Sequence, residues 1–405
     1  MLGERGRGAH AEVVVNSGFM RISGILITSL TFAVVGGAGS CFGQSGSRTG
    51  QDPERPAAEE PVMYWEEYEP RSTLVVSAHP TTRSRYPFVD VHAHQFRAPT
   101  LSAAQVDELL AAMDEMNMAV MVNLSGGSGE NLTAAVANLS GRHPGRFVNF
   151  ANISFEGIDE PGWAGRTVAQ LQADVQNGAV GLKIFKNLGM TAVDAAGNRI
   201  PVDDPRIDPV WAKCGELGIP VLIHTADPAP FWEPRDRFNE RWFELKERPE
   251  RIRPPGDYPP WADIMAEQRR VFARHPGTTF IAAHLNWLGN DLDALGELFD
   301  ALPNVYSETG AVLAELGRQP RKAKAFLTEY KDRILFGKDA WGVEEYYVYF
   351  RTFETEDEYF DYYRKRHGFW KMYGLALDDD VLKHIYYKNA LRIIPGIDRS
   401  HFPVD

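Results

Sequence analysis

Short apolar runs recur along the chain from residue 88 onward, each followed by a polar or amphipathic stretch long enough for a helix and its loops. Phe88-Val89-Asp90-Val91, Ile219-Pro220-Val221-Leu222-Ile223, Thr279-Phe280-Ile281-Ala282-Ala283 and Ile334-Leu335-Phe336-Gly337-Lys338 are clear examples. Runs of this length bounded by turn residues read as buried strands. The pattern predicts strands near 88–92, 118–124, 147–153, 179–185, 219–224, 279–284, 304–308 and 334–338. Eight alternating strand and helix units imply one parallel sheet, and the roughly 250 residues from Phe88 to Trp341 match the usual size of a (β/α)8 barrel. A doubly wound open sheet is the competing architecture, but no glycine-rich nucleotide loop follows the first strand. The expected fold class is α/β: a TIM barrel with a long loop insertion after strand 5, reaching about Trp261, and with C-terminal helices. The aromatic run from Tyr346 to Tyr373 reads as packing of those helices over the barrel.

Arg-His-Pro-Gly occurs twice, at 142–145 and 274–277, each time between a helix and the following strand. A Pro-Gly pair stops a helix, and a preceding cation suits its C-terminal dipole. His143 and His275 are therefore expected to be structural, at the end of the barrel opposite the strand C-termini.

Composition bounds the setting. Residues 1–43 read as a signal peptide or lipoprotein leader, 44–70 as a flexible linker and 71–405 as the barrel domain. The apolar stretch Ile22–Ala38, preceded by Arg21, falls short of the roughly 20 strongly apolar residues of a spanning helix. Its flanks suit secretion, so export to the periplasm or another extracytoplasmic space is expected. The charged segment ahead of Met20 makes the leader unusually long, which favours translation starting at Met20. Ala38-Gly39-Ser40-Cys41 resembles a lipoprotein cleavage box, with Ala38 where leucine is usual. Ordinary cleavage nearby is the favoured reading, and membrane anchoring through Cys41 lipidation is the alternative. Two cysteines make no disulfide framework, and Cys214 reads as a buried apolar residue. A net charge of −12, without a basic cluster interleaved with aromatics, argues against nucleic-acid binding. Composition leaves a homo-oligomer open.

The strand ends carry the chemistry. His92-Ala93-His94 closes the first run, and because strand side chains alternate with period two, both imidazoles share a face. Eleven histidines in 405 residues would give about 0.3 such pairs by chance, so the tripeptide alone is a weak signal. Three further runs end in His224, His284 and Asp339. Four strand ends delivering His-x-His, His, His and Asp are hard to explain as packing, since buried ionisable groups are costly without partners. Imidazoles and a carboxylate gathered on one barrel face would bind a divalent metal.

These residues resemble the amidohydrolase superfamily, and within it the amidohydrolase-related branch of hydrolases and non-oxidative decarboxylases. The likeness spans roughly residues 86 to 397 and includes Tyr387-Lys388-Asn389-Ala390-Leu391-Arg392-Ile393-Ile394, which looks like the family's C-terminal helix. It implies that His92, His94 and His224 are metal ligands. Asp339 would bind the metal or take a proton from its water, and His284 would complete the ligand set or polarise the substrate. Lys183 occupies the station where some members carry a carboxylated lysine bridging two metals. An ammonium beside a dication is repelled, which favours either carbamylation of Lys183 or an anionic substrate as its partner. A mononuclear site with Lys183 contacting a substrate carboxylate is favoured over a bridged binuclear one. Zinc suits nitrogen and oxygen ligands best, while residue type leaves manganese and iron open.

The pocket loops contribute further candidates. The insertion carries Asp227, Phe231, Trp232, Arg235, Arg237, Trp242 and Phe243, and a loop this long is commonly a lid. Trp232, Asn286, Trp287 and Glu308 are expected to contact the substrate, although Glu308 stands where an aspartate or small polar residue was expected. Lys186 reads as a loop charge. Together these point to a small, ring-bearing or carboxylated substrate. The expected activity is hydrolysis of an ester, lactone or amide by a metal-activated water. Decarboxylation of an aromatic or unsaturated acid is the alternative, and a non-catalytic binding protein ranks third because the ligand set is complete.

Overall fold

All six residues of the first strand, β1 (Phe88–Ala93), are buried, as a strand enclosed on both faces requires. The computed structural model describes residues 62–64 and 67–404, and residues 72–405 form one compact unit. The leader, the start at Met20, Cys41 and most of the linker lie outside the described residues. Seven strands follow: β2 (Met118–Asn123), β3 (Phe147–Asn152), β4 (Ala179–Ile184), β5 (Val221–Ile223), β6 (Phe280–Ala282), β7 (Val305–Glu308) and β8 (Ile334–Leu335). Each pairs in parallel with the next, in sequence order. The ring closes where Val91 N–H donates to Phe336 O (3.0 Å), Asp339 N–H donates to His92 O (2.7 Å) and Ala93 bridges Asp339. The chain is a (β/α)8 barrel, as its apolar rhythm predicts.

Helices fill the intervals for local reasons. α1 (Ala103–Met116) opens on a capping box in which Ser102 and Gln105 bond each other's backbone, and ends on Asn117 at φ 70°. α2 (Gly129–Asn138), α3 (Trp163–Gln176) and α4 (Asp208–Leu217) follow, the last stopped by Gly218 at φ 66°. Inside the barrel, a Cβ on Gly181 would come within 2.4 Å of the Phe150 ring, so β4 needs glycine there for β3 to pack.

The insertion after β5 holds the short helix α5 (Trp242–Glu247) before α6 (Trp261–Arg274) resumes the barrel pattern. α7 (Leu292–Ala301), α8 (Leu313–Arg318), α9 (Pro320–Glu329) and α10 (Val343–Glu354) complete the outer layer. α10 packs Tyr346 and Phe350 on Phe88 and Phe336, with the Phe88–Phe336 rings 4.8 Å apart. A hairpin of β9 (Phe360–Asp361) and β10 (Lys371–Met372) follows. α11 (Asp379–Lys383) then runs through a π-turn into α12 (Asn389–Ile393). Asn389 donates to Lys331 O and Ile334 O, both at 2.6 Å, tying this segment to β8. Cys214 is fully buried, and burial pushes its thiol pKa up. Among the described residues no helix is long and apolar enough to cross a membrane.

Candidate active site

Period-two alternation at the end of β1 turns His92 and His94 to the same side. His92 is fully buried and its Nδ1 lies 2.8 Å from Glu308 Oε1, while His94 Nδ1 lies 2.8 Å from Ser125 Oγ just beyond β2. A carboxylate can only accept, so His92 carries its proton on Nδ1 and presents a bare lone pair at Nε2. That Nε2 is buried with no hydrogen-bond partner.

His284 follows β6 and its Nδ1 lies 2.8 Å from the carbonyl of Gly310, which likewise fixes the proton on Nδ1. Its Nε2 faces His224 Nδ1 at 3.4 Å, so His224 donates weakly and its own Nε2, buried and without a partner, is also a bare lone pair. Burial is the first cause that lowers the pKa of every one of these imidazoles: His92 and His94 to about 3, His284 to about 4, and His224 well below its ordinary value. All four are neutral at pH 7 and able to ligate. A neutral His284 with Nδ1 committed to Gly310 O and Nε2 facing His224 Nδ1 has no proton to donate from Nε2, which does not suit polarising a carbonyl.

Asp339 completes the group. Its Oδ1 lies 3.6 Å from His92 Nε2 and 3.5 Å from His94 Nε2. Burial opposes its ionisation, but His92, His284, His94 and Lys183 hold the carboxyl well below the usual carboxylate range. One ligand atom each from His92, His94 and Asp339 falls within a span of 4.8 Å. His224 is not in that group; its ring stands against that of His284, with centroids 4.4 Å apart. A buried imidazole nitrogen with no hydrogen-bond partner, His92 Nε2, beside an ionised carboxylate is costly as a protein interior and fits a divalent cation.

Backbone strain collects at the same rim. Among non-glycine residues, Ala226, His284, Leu285, Asn286, Trp287, Ala311 and Asp339 all have positive φ, with Asp339 at 81°. Four left-handed residues in succession after β6 cost on the order of 1–2 kcal/mol each, which only an over-determined surrounding sustains. The turn throws Trp287 back over His284, their rings stacked 4.5 Å apart.

A cavity of about 110 Å³ opens above Asp339, bounded by His224, His284, Trp287 and Ala311 on the barrel and by Pro228 and Phe231 from the insertion. Four expectations change here. Glu308, expected on the substrate side, is off the cavity wall: it is fully buried, accepting from His92 Nδ1, His284 N–H (2.7 Å) and Gly310 N–H (2.5 Å), and so fixes the His92 ring and the start of the turn after β6. Trp232 points away from the cavity, bonding Pro259 O (2.8 Å) and packing on Tyr258, and Phe231 takes its place. Asn286 is buried in the left-handed turn and is not on the cavity wall. Lys186, read as a loop charge, lines the cavity with its Nζ 2.5 Å from Asp227 Oδ1. Trp287 lines the cavity.

Lys183 is buried to 1% exposure with its Nζ unpartnered, and it is not on the cavity wall. That position does not suit the substrate-carboxylate role. Burial is the main cause lowering its pKa to about 8, against Asp339 and Glu308, which raise it. Sequence reasoning missed Ser125, Arg241, Glu244, Arg251, Arg364 and His367. The last five line the cavity from the insertion and the C-terminal segment.

A sequence model of the Amidohydrolase family matches residues 89–396. No protein of curated function gives a significant match. Similar solved structures include an uncharacterised TIM-barrel protein from Bordetella bronchiseptica, 18% identical, covering 77% of this chain and 99% of its own at a TM-score of 0.49. A dihydroxybenzoic acid decarboxylase from Polaromonas sp. JS666, with bound manganese and 2-nitroresorcinol, is 14% identical, with coverages of 78% and 99% and a TM-score of 0.49. A 4-oxalomesaconate hydratase from Rhodopseudomonas palustris is 15% identical, with coverages of 77% and 97% and a TM-score of 0.46.

Proposed function

The chain belongs to the amidohydrolase family, and from that premise we propose that it is a metal-dependent hydrolase of a small ester, lactone or amide. The observation that carries this reading is the cluster of His92, His94 and Asp339, in which the bare, buried Nε2 of His92 stands 3.6 Å from a carboxylate held ionised on the cavity wall. His92, His94 and Asp339 would hold the ion, with His224 Nε2 as a further donor. When bound, the ion supplies Lewis acidity and lowers the pKa of water from about 15.7 towards 7. Zinc suits this donor set. A single ion is favoured because the second cluster, His92 with His284 and Glu308, uses a carboxylate already taken by three N–H donors.

The chain's own groups divide the remaining work. Asp339 stays ionised at neutral pH and accepts the proton of the attacking water. Glu308 fixes the His92 tautomer, and Gly310 O fixes that of His284. Trp287 and Phe231 exclude bulk water above the histidines, which strengthens every charge interaction below them.

Screening metal-loaded protein against lactones, esters and carboxylated aromatics in ¹⁸O-labelled water tests the reading. Incorporation of label into product is expected. Carbon dioxide release with no label incorporated would replace it by the lyase alternative.

A further inference from the structure

The cavity wall carries four cations: Lys186, Arg241, Arg251 and Arg364. Three are answered by protein carboxylates. Lys186 pairs with Asp227, which Arg253 also holds at 2.6 Å. Arg241, buried, lies between Glu244 (3.1 Å) and Glu315 with His367 beside it, and Arg251 pairs with Glu244.

Arg364 differs. Its side chain is only 15% exposed, yet its guanidinium makes no hydrogen bond to any described residue. The carboxylate oxygen that comes nearest, Glu345 Oε2, is 3.7 Å away and is already engaged by Lys338 Nζ. The Tyr363 ring centroid lies 5.4 Å from it, a contact that stabilises the cation without using its N–H groups. A largely desolvated guanidinium with unspent donors is costly unless something satisfies them. Its planar fork matches a carboxylate in bidentate fashion. Across the same small cavity stand Asp339 and His284, and Phe231, Pro228 and Trp287 supply apolar wall between.

We propose that Arg364 is the specificity-determining residue of this site: it binds a carboxylate of the substrate, whose apolar body lies against Trp287 and Phe231 with its reacting carbonyl towards Asp339. The anchor comes from the C-terminal segment rather than from Lys183, which is buried off the cavity wall. The substrate class is therefore a small carboxylic acid that also carries the scissile ester, lactone or amide. This rests on the hydrolase reading for the reaction but not for the binding step.

The test separates the two. Calorimetric titration of metal-loaded protein with benzoate, and with benzamide as the neutral control, reads the anchor without turnover. Arg364→Met is expected to weaken benzoate binding about 10- to 100-fold, the usual loss for a charge-assisted hydrogen bond. Benzamide binding should stay unchanged, and Arg364→Lys should recover part of the loss. Equal benzoate affinity in wild type and Arg364→Met, or no preference for benzoate over benzamide in wild type, overturns the proposal. Should Arg364→Met fail to fold, as judged by circular dichroism, Arg364→Lys and Arg364→Gln carry the same comparison. Arg364-dependent benzoate binding by a protein that hydrolyses nothing would sink the hydrolase reading and leave the anchor standing.

Discussion

The two rims of this barrel use the same residue types to opposite ends. At the lower rim, where helices feed into strands, His275 Nε2 meets Asp208 Oδ1 at 3.0 Å and Arg274 shares that aspartate at 2.8 Å. Asn304 donates to three carbonyls at 3.1 Å each, and Arg333 donates to Phe299, Leu302 and Val305. Left-handed backbone falls there on Gly145, Gly178, Gly218 and Asn117, residues that tolerate it. At the upper rim, by contrast, His92 and His224 have bare nitrogens, and seven non-glycine residues carry positive φ. Among the described residues His143 Nε2 and Trp211 Nε1 are buried there without a partner too, but no cluster of ligand atoms forms around His143. The difference teaches that a histidine's role is set by what faces its second nitrogen. A satisfied ring holds the fold, and an unsatisfied one among others waits for a ligand.

Asp339 breaks the comparison most sharply. Asp339→Asn keeps the shape and removes the charge, so activity should fall by about 10²- to 10⁴-fold. Because His92, His284, His94 and Lys183 hold the ionised Asp339 well below the usual carboxylate range, the chelator-treated variant should also lose stability near neutral pH, read from the urea midpoint. A chelated variant as stable as wild type would show that these neighbours do not favour the carboxylate. Glu308→Gln keeps the shape but weakens the grip on His92, and a drop of about 10- to 100-fold in metal affinity is expected from competition titration. Unchanged affinity would return Glu308 to a packing role.

At the lower rim the same substitution type should do little to chemistry. His275→Ala is expected to cost about 1 kcal/mol of stability while kcat/KM stays at the wild-type value. A large loss of activity with normal stability would erase the distinction between rims.

Asp357 sharpens the contrast from a region away from both. Burial would push its carboxyl up, but His79 N–H and Nδ1, each at 2.7 Å, and Arg351 Nε at 2.6 Å hold it below the ordinary value. A depressed carboxyl stabilises the fold above the unfolded pKa of about 3.9, and that contribution is lost as pH falls through the lower folded value. The urea midpoint of wild type should therefore drop more steeply below about pH 4 than that of Asp357→Asn, and parallel curves would refute it.

Much of this was legible because strand signals are local. The apolar runs ending at His92, His224, His284 and Asp339 carry their own periodicity, and the barrel order follows from their number and spacing. What escaped depends on contacts between distant segments. Phe231 and Trp232 are neighbours, and only the turn through Ala229–Phe231 decides which ring meets the cavity. Glu308 reads as a pocket acid until His92, 216 positions away, is found against it. Arg364 sits in an aromatic run whose core packing is real, with Tyr346, Tyr349 and Phe353 buried, and nothing in its local pattern marks it as a wall residue.

The upper rim as a metal centre is tested most directly by titrating a divalent ion into chelator-treated protein and counting ions per chain by elemental analysis. Zinc should bind wild type at one ion per chain and fail to bind His92→Ala and Asp339→Ala, both still folded. No bound ion in wild type, or equal retention in both variants, would contradict the account.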